Sequence, residues 1–311
     1  MNKKTVLLVF LASLGIYALT QVFASRKIDH FQAELINLDT AVVQTVIINT
    51  KKDLEEITLS REGQIWIASN GKINVRAVST EVDKLLSALS LIRSKRIAAK
   101  VAEKWSEYEV GQGEGTRLRV YTNAGLVYDF IVGKFGFNQQ SQRSISYLRL
   151  TGEKEVYAID GFQALSRGFD AYRNKVLSKL TKGAQVTTFS FLNGDTSFVF
   201  SRHPEGWLLN DQETVNSAKV ESYLTTLEKI SGNVFADDFD ETQASEKQIN
   251  QLQLEGDQLP VPILIRAYLD TTRTNPYVLH SSLNKEAWFS SDSSGVYLSI
   301  FKDPVVFREE E

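Results

Sequence analysis

The feature that most constrains the fold of this chain is a repeat of its own sequence at a spacing of about 140 residues. Residues 57–66 (ITLSREGQIW) resemble residues 198–207 (FVFSRHPEGW). The Ser-Arg pair and the tryptophan recur at one offset, because 201 − 60 = 141 and 207 − 66 = 141. This match predicts two copies of one folding unit.

The match continues along the chain. Residues 82–89 (VDKLLSAL) parallel residues 220–227 (VESYLTTL), with an offset of 220 − 82 = 138. Later, Tyr147 aligns with Trp288 (288 − 147 = 141) and Tyr157 with Tyr297 (297 − 157 = 140). Several matches in the same order indicate an internal duplication rather than chance similarity.

Hydrophobic periodicity predicts strand, tight turn, strand, helix and then further strands in each copy. Trp66 and Trp207 follow the turns and are expected to face the core, and the helices are expected to open at Ser79 or Thr80 and near Asn216-Ser217. The later strands are predicted at 117–121, 127–133, 146–150 and 156–159 in the first copy, and at 261–268, 277–280, 287–290 and 296–301 in the second. The fold class is α+β, with two tandem lobes (25–160 and 184–311) of mainly antiparallel strands, one principal helix each, and a helical connector at 161–183.

The N-terminus predicts a membrane anchor. Residues 1–4 (MNKK) form a short cationic tail, and residues 5–24 (TVLLVFLASLGIYALTQVFA) form an apolar run. About 20 residues of helix span a hydrocarbon core of about 30 Å. Lysines before the run favour a cytoplasmic N-terminus and a periplasmic bulk, which predicts a single-pass protein of the inner membrane. A cleavable signal peptide is the alternative interpretation, and it would also export residues 25–311.

Composition excludes several classes of function. The chain has no cysteine, which excludes disulfides, thiolate metal sites and a lipid-modified N-terminus. The formal net charge is −3, without the basic excess typical of nucleic-acid-binding proteins.

Three groups of residues are candidates for a functional site. Three histidines (His30, His203 and His280) are scattered and lack the spacing of a metal site. Gly111, Gly113 and Gly115 form a G-x-G-x-G run, but a predicted strand follows it where a phosphate-binding loop requires a helix N-terminus. An acidic cluster at 237–241 (DDFDE) lacks the glycine of a calcium loop, which favours a solvated loop over a weak cation site.

Charge and aromatic patterns give two further hypotheses. A basic stretch after the first helix (Arg93, Lys95, Arg96, Lys100 and Lys104) contrasts with the acidic cluster at the related place in the second copy. The two stretches are either solvated faces or complementary patches between lobes, molecules or partners. The aromatic residues are predicted to fill the core, and a sugar-binding face would require Trp105, Tyr108 or Trp288 to be exposed. We therefore predict no catalytic, cofactor-binding or metal-binding residues and no enzyme activity.

Several of these segments resemble one bacterial family. The anchor, Leu38-Asp39 before an extended segment, the Trp66 strand, residues 104–110 (KWSEYEV), residues 131–134 (IVGK) and residues 146–149 (SYLR) are similar to the domain-of-unknown-function family four-three-four-zero. Members are often encoded beside ABC transporters of the gliding-motility type. The resemblance implies a membrane-anchored periplasmic accessory protein that works with an ABC permease or auxiliary subunit, and it implies no catalytic residues.

Three functions remain open from the sequence. The first is an accessory or scaffold protein of a membrane complex, with an ABC-type transporter implied by the resemblance. The second is a binding module for a cell-envelope glycan or peptide in a cleft between the lobes. The third is a hydrolase with dispersed residues, which a serine, a histidine and an acid converging in one pocket would reveal.

Overall fold

A computed structural model of the chain describes residues 34–50, 56–139, 142–162, 168–244 and 248–309. The chain divides into two compact units, Met1–Tyr172 and Arg173–Glu311. The division lies inside the predicted connector 161–183, whose described part holds a 3-10 turn at Phe169–Tyr172 and a strand at Val176–Lys179.

The first unit is one antiparallel sheet with a single α-helix, α1 (Ser79–Ser90), among its described residues. In chain order its strands are β1 (Glu34–Asn37), β2 (Val43–Asn49), β3 (Glu56–Glu62), β4 (Ile65–Ser69), β5 (Asn74–Arg76), β6 (Leu91–Ala99), β7 (Thr116–Thr122), β8 (Gly125–Asn138), β9 (Arg143–Leu150) and β10 (Val156–Asp160). Their order in the sheet is β1-β6-β10-β9-β8-β7-β2-β3-β4-β5. Short 3-10 helices lie at Thr40–Val42, Ala102–Lys104 and Ser106–Tyr108.

The second unit is also built on antiparallel strands. These are β11 (Val176–Lys179), β12 (Gln185–Asn193), β13 (Thr196–His203), β14 (Gly206–Leu209), β15 (Glu213–Thr214), β16 (Lys229–Ser231), β17 (Val234–Phe235), β18 (Gln248–Asp257), β19 (Ile263–Leu269), β20 (Tyr277–Ser281) and β21 (Asn284–Ser291). The main sheet has the order β15-β14-β13-β12-β18-β19-β20-β21-β17, and β11 pairs with β16. The helices are α2 (Ser217–Leu227), α3 (Glu241–Ala244) and α4 (Val296–Ile300), with a 3-10 turn at Pro304–Phe307.

The two units share one strand order. Strands β5-β4-β3-β2-β7-β8-β9-β10 of the first unit correspond to β15-β14-β13-β12-β18-β19-β20-β21 of the second. The first half of β6 pairs with β1 and its second half with β10. In the second unit this long strand is divided, so β16 pairs with β11 and β17 with β21. The strand-rich α+β class predicted from the sequence is confirmed.

The repeated Ser-Arg and tryptophan positions have the same surroundings in both units. Trp66 and Trp207 are 7% and 1% exposed, as the core prediction requires. The Arg61 guanidinium lies 5.0 Å from the centre of the Trp66 ring, and that of Arg202 lies 4.7 Å from the centre of the Trp207 ring. Each arginine is the direct cross-strand neighbour of its tryptophan, so a cation–π contact covers both rings.

The two principal helices bury equivalent residues. Val82, Leu86 and Leu89 of α1 correspond to Val220, Leu224 and Leu227 of α2, and all six are at most 5% exposed. This spacing gives each helix one apolar stripe toward its sheet. Helix α2 begins at an Asn216 cap whose side chain accepts a hydrogen bond from the Lys219 amide at 3.0 Å. Helix α1 begins at Ser79 after Val78, without a side-chain cap.

The predicted alignment is wrong in the later part of the second copy. Residues 296–301 were predicted as a strand, but Val296–Ile300 form helix α4. The equivalent of β7 is the unpredicted strand β18, so Trp288 on β21 corresponds to β10 rather than to Tyr147 on β9. Strand β18 (QINQLQLEGD) was missed because polar side chains alternate with few apolar ones.

Residues 5–24, predicted as the anchor, and His30 lie outside the described residues. Within the described ranges, no helix combines the length and apolarity needed to cross a membrane.

Candidate functional site

The main candidate site is a cleft of about 340 Å³ in the first unit. Its walls are the end of β2 (Asn49 and Thr50), the glycine loop before β7 (Gln112, Gly113 and Gly115), and the first outward-facing residues of β7 (Arg117 and Arg119). The two arginines share a face because Leu118 between them points into the core. We call this region the arginine cleft.

Arg117 is held rigidly by a carboxylate. Its Nε and Nη2 atoms donate to Asp129 Oδ1 and Oδ2 at 2.8 and 2.6 Å, and Thr151 Oγ1 also donates to Asp129 Oδ1 at 2.9 Å. The Arg117 hydrogen bonds lower the pKa of Asp129, and the same pair raises the pKa of Arg117. Both groups therefore stay charged, and the guanidinium plane is fixed by a two-point contact.

Arg119 is held from one side only. Its Nη2 atom donates to Glu56 Oε2 at 2.6 Å and to Asn49 Oδ1 at 3.1 Å. Arg119 Nε and Thr50 Oγ1 are buried and find no hydrogen-bond partner among the residues that the structure describes. Buried polar atoms are usually paired, so two unpaired ones on residues lining one cleft suggest a place for ligand atoms.

The two outer glycines of the G-x-G-x-G run, Gly111 and Gly115, are packed against neighbouring atoms, whereas Gly113 has open space around it. A Cβ atom on Gly115 would lie 2.5 Å from the carbonyl oxygen of Glu109 and 2.6 Å from that of Val132. The Glu114 carboxylate accepts from Ser106 Oγ at 2.7 Å and from the Gly111 amide at 3.2 Å. Strand β7 follows, as predicted, so the loop does not lead into a helix N-terminus.

The acidic cluster at 237–241 forms ion pairs inside its own unit. Asp237 accepts two hydrogen bonds from Arg173 at 2.8 and 2.5 Å. Asp238 pairs with Arg273 at 2.9 Å, which lowers the pKa of Asp238. Glu241 accepts from Arg266 at 3.3 Å and from Tyr268 at 2.6 Å. Among the described residues, no group of acids and histidines has the arrangement of a metal site.

The basic stretch is partly paired as well. Arg93 pairs with Glu34 at 2.8 Å, Lys104 with Glu107 at 2.8 Å, and Lys95 with Asp160. Three of the four acids in the cluster 237–241 are thus paired with arginines of the second unit, which weakens the case for this cluster as a free complementary patch.

His203 belongs to a Ser-His-Asp group that lacks the order of a catalytic triad. Its Nε2 atom lies 3.2 Å from Ser201 Oγ and 3.5 Å from Asp211 Oδ1, and Ser201 donates to Asp211 at 2.5 Å. A triad requires the acid on one ring nitrogen and the serine on the other. Here both contact Nε2, the serine proton goes to the acid, and the His203 and Asp211 side chains are 43% and 72% exposed.

His280 and the three candidate aromatics are packed against neighbours. His280 stacks on Trp288 at 4.1 Å between ring centres, and burial lowers the pKa of this histidine. Arg149 lies 3.9 Å from the centre of the Trp105 ring, and Tyr108 contacts Tyr147 at 4.6 Å. All three aromatics are only partly exposed, so the condition set for a sugar-binding face is not met.

The β8–β9 hairpin carries a second candidate surface. Phe135 and Phe137 are 46% and 61% exposed, although large aromatic side chains usually lie inside. Both point to the same face of β8, where they oppose Ser146 and Ser144 of β9. We call this pair the phenylalanine face. Sequence reasoning missed it, as it missed the arginine cleft, because the alternation in 135–137 (FGF) and 117–120 (RLRV) indicates which side chains share a strand face but not what surrounds them.

Comparison with known proteins identifies the family. The model of the family "Domain of unknown function (DUF4340)" matches residues 66–253, more than half of the chain. The chain belongs to this family. The match confirms the resemblance found in the sequence. It covers the phenylalanine face and the part of the arginine cleft from Gln112 to Arg119, but not Asn49 and Thr50. Searches of curated proteins and of solved structures each gave no match.

Proposed function

We propose that this DUF4340 protein is a membrane-anchored periplasmic accessory protein, without enzyme activity, that holds a partner protein of a membrane complex. The observation that carries the proposal is the phenylalanine face, with Phe135 and Phe137 exposed side by side. Burying two such rings in an interface is worth about 1.5–3 kcal/mol each, the range of a binding hot spot.

The hairpin presents these rings in a defined position. Strand β8 continues past its pairing with β7, which ends at Val132, and β9 supports the extension by pairing with Phe135 and Phe137. The Phe135 ring rests against Gly161, where a Cβ atom would lie 3.0 Å from the ring. A ring already held in one orientation loses little side-chain entropy on binding.

The chemistry of the hairpin favours a protein partner over the bilayer. The connection between β8 and β9 has the polar sequence 139–142 (QQSQ). A hairpin that enters a membrane would carry apolar residues at its end, because hydrocarbon does not solvate amides. Here the apolar residues lie on the side of the ribbon, which suits packing against a partner surface.

Two other parts of the proposal rest on the sequence. The apolar run 5–24 supports anchoring in the inner membrane, with the bulk of the chain in the periplasm. The resemblance to proteins encoded beside ABC transporters supports a permease or an auxiliary subunit of such a transporter as the partner.

Site-specific photocrosslinking in cells tests the proposal. A photoreactive phenylalanine analogue replaces Phe137 in the full-length chain, and the control carries it at Val261, which is 64% exposed in the second unit. We expect position 137, but not 261, to crosslink to a transporter subunit identified by mass spectrometry. Phe135→Ser should reduce this crosslink about tenfold with little loss of stability, because Phe135 is exposed. Identical products at both positions, or only lipid adducts at 137, would contradict the proposal.

A further inference from the structure

We infer that the arginine cleft binds the oxyanion group of a small ligand, with a phosphate ester as the chemical class. This inference is independent of the proposed partner binding, because it rests on Arg117, Arg119 and Thr50 rather than on the phenylalanine face. A cleft of about 340 Å³ is at the lower end of the volumes of small-molecule sites.

The donors in the cleft are oriented before any ligand arrives. Arg117 uses Nε and Nη2 for Asp129, and Arg119 uses Nη2 for Glu56 and Asn49. Each guanidinium carries five N–H donors, so both retain donors beyond those bonds. Arg119 Nε and Thr50 Oγ1 have no partner in the described part of the chain, and an oxyanion supplies the acceptors that such donors lack.

The charge balance favours recognition by geometry over bulk attraction. Arg117 and Arg119 are matched by Asp129 and Glu56, so these four groups together bring no net charge to the cleft. Such a site discriminates through fixed hydrogen bonds, and arginine suits phosphate because its planar fork meets two oxygens at once.

The second unit provides an internal comparison. The buried pair Leu118 and Val120 of β7 corresponds to Leu252 and Leu254 of β18, since 252 − 118 = 134 and 254 − 120 = 134. By the same offset Arg117 and Arg119 correspond to Gln251 and Gln253. The position of Asp129, opposite Arg119, is taken by Leu264, opposite Gln253. The duplicated scaffold therefore carries this polar network in one copy only.

Titration of the full-length protein in a neutral detergent tests the inference. The probes are inorganic phosphate, glycerol 3-phosphate and dihexanoyl phosphatidic acid, and binding is measured by calorimetry and by the rise in Tm that a ligand of the folded state produces. The variant is Arg119→Gln. The matched control is Arg266→Gln, which removes an arginine paired with Glu241 in the second unit.

We expect wild type to bind at least one of the three phosphate probes, and Arg266→Gln to bind it with the same affinity. Arg119→Gln should bind that probe at least about tenfold more weakly. Because Arg119→Gln also leaves Glu56 without its arginine, Thr50→Val provides a second test that changes no charge. Thr50→Val should weaken binding about three- to tenfold while the unliganded Tm stays equal or rises, since an unpaired hydroxyl is removed.

The probes distinguish two sources of the phosphate. Equal binding of glycerol 3-phosphate and dihexanoyl phosphatidic acid indicates a soluble ester, and binding of the lipid analogue alone indicates a lipid headgroup. The inference is overturned if no probe binds wild type, or if Arg119→Gln and Thr50→Val both bind the probe as tightly as wild type does.

Discussion

The two units have the same strand order but fill the core of that scaffold differently. In the first unit the pairing of β2 with β3 brings together Val46 and Leu59. In the second unit the pairing of β12 with β13 brings together Phe189 and Phe200, whose rings stack at 4.5 Å and 3°. An aliphatic pair at this place in one core is thus an aromatic pair in the other.

The aromatic cluster of the second unit extends well beyond this pair. Phe189 contacts Trp207, Tyr223 and Phe307 at 5.6, 5.6 and 6.1 Å between ring centres. The position of Tyr223 on α2 is held by Leu85 on α1, because 223 − 85 = 138. The two cores therefore share the pattern of buried positions, while the identity and size of the side chains at those positions differ.

Replacing a central core side chain of each unit by alanine should give the largest loss in the free energy of unfolding. Phe189→Ala is expected to cost about 3–5 kcal/mol in the second unit, because it removes a ring packed on five others. Val46→Ala is expected to cost about 2 kcal/mol in the first, because it deletes two methyl groups. Urea titration with hydrogen-exchange mass spectrometry assigns each loss to its unit. Equal losses of stability for the two variants, or a loss in the unit without the substitution, would contradict the difference between the two cores.

The sequence predicted the first half of each unit well. The Ser-Arg and tryptophan matches and both helices were correct, because a turn glycine, alternating strands and a helical apolar stripe are local signals. Gly63 adopts a φ of +60° in the turn before Trp66. Such features depend on neighbours close in the chain and can be read without knowing the fold.

The later strands were also predicted correctly, except at β18 and at residues 296–301, and the two candidate sites could not be read in this way. Strand β18 is specified by its partners β12 and β19, so its polar sequence gives little signal. The arginine cleft depends on Asn49, Glu56 and Asp129, which lie on three different strands. The paired state of Asp237 likewise depends on Arg173, far from it in the sequence.

The stability of the two units should respond differently to acid, because of Asp129 in the first unit. Its pKa is lowered by Arg117, so the charged form stabilises the folded state above the unfolded value of 3.8, and this stability is lost as pH falls through the lower folded pKa. Asp129→Asn should cost the first unit about 1–2 kcal/mol at pH 7 and nothing once the pH is well below the folded pKa.

Asp238→Asn is the matched control in the second unit. Arg273 lowers the pKa of Asp238 in the same direction, but the Asp238 side chain is 79% exposed and solvent screens the pair. Urea titrations at pH 7, 4 and 3 should therefore show a smaller loss for this variant. The role assigned to the Arg117 pair fails if the two variants respond to acid alike.

The arginines over the two tryptophans should give the smallest difference. Arg202 also pairs with Glu221 of α2 at 2.7 Å, so this arginine links its strand to the helix. Glu221 in addition accepts a hydrogen bond from the Trp207 indole N–H at 2.8 Å. Arg61 instead donates to the carbonyl oxygens of Ala41 and Thr40 at 2.8 and 3.4 Å.

Arg202→Ala and Arg61→Ala should each lower the free energy of unfolding by about 0.5–1 kcal/mol, because both contacts are partly open to solvent. Glu221→Gln then sharpens the test, since it should remove the added contribution of Arg202 and leave the first unit unchanged. If Arg202→Ala costs the same in the Glu221→Gln background, Glu221 does not couple the strand to the helix, and the cation–π contact alone accounts for the repeated Arg-Trp pair.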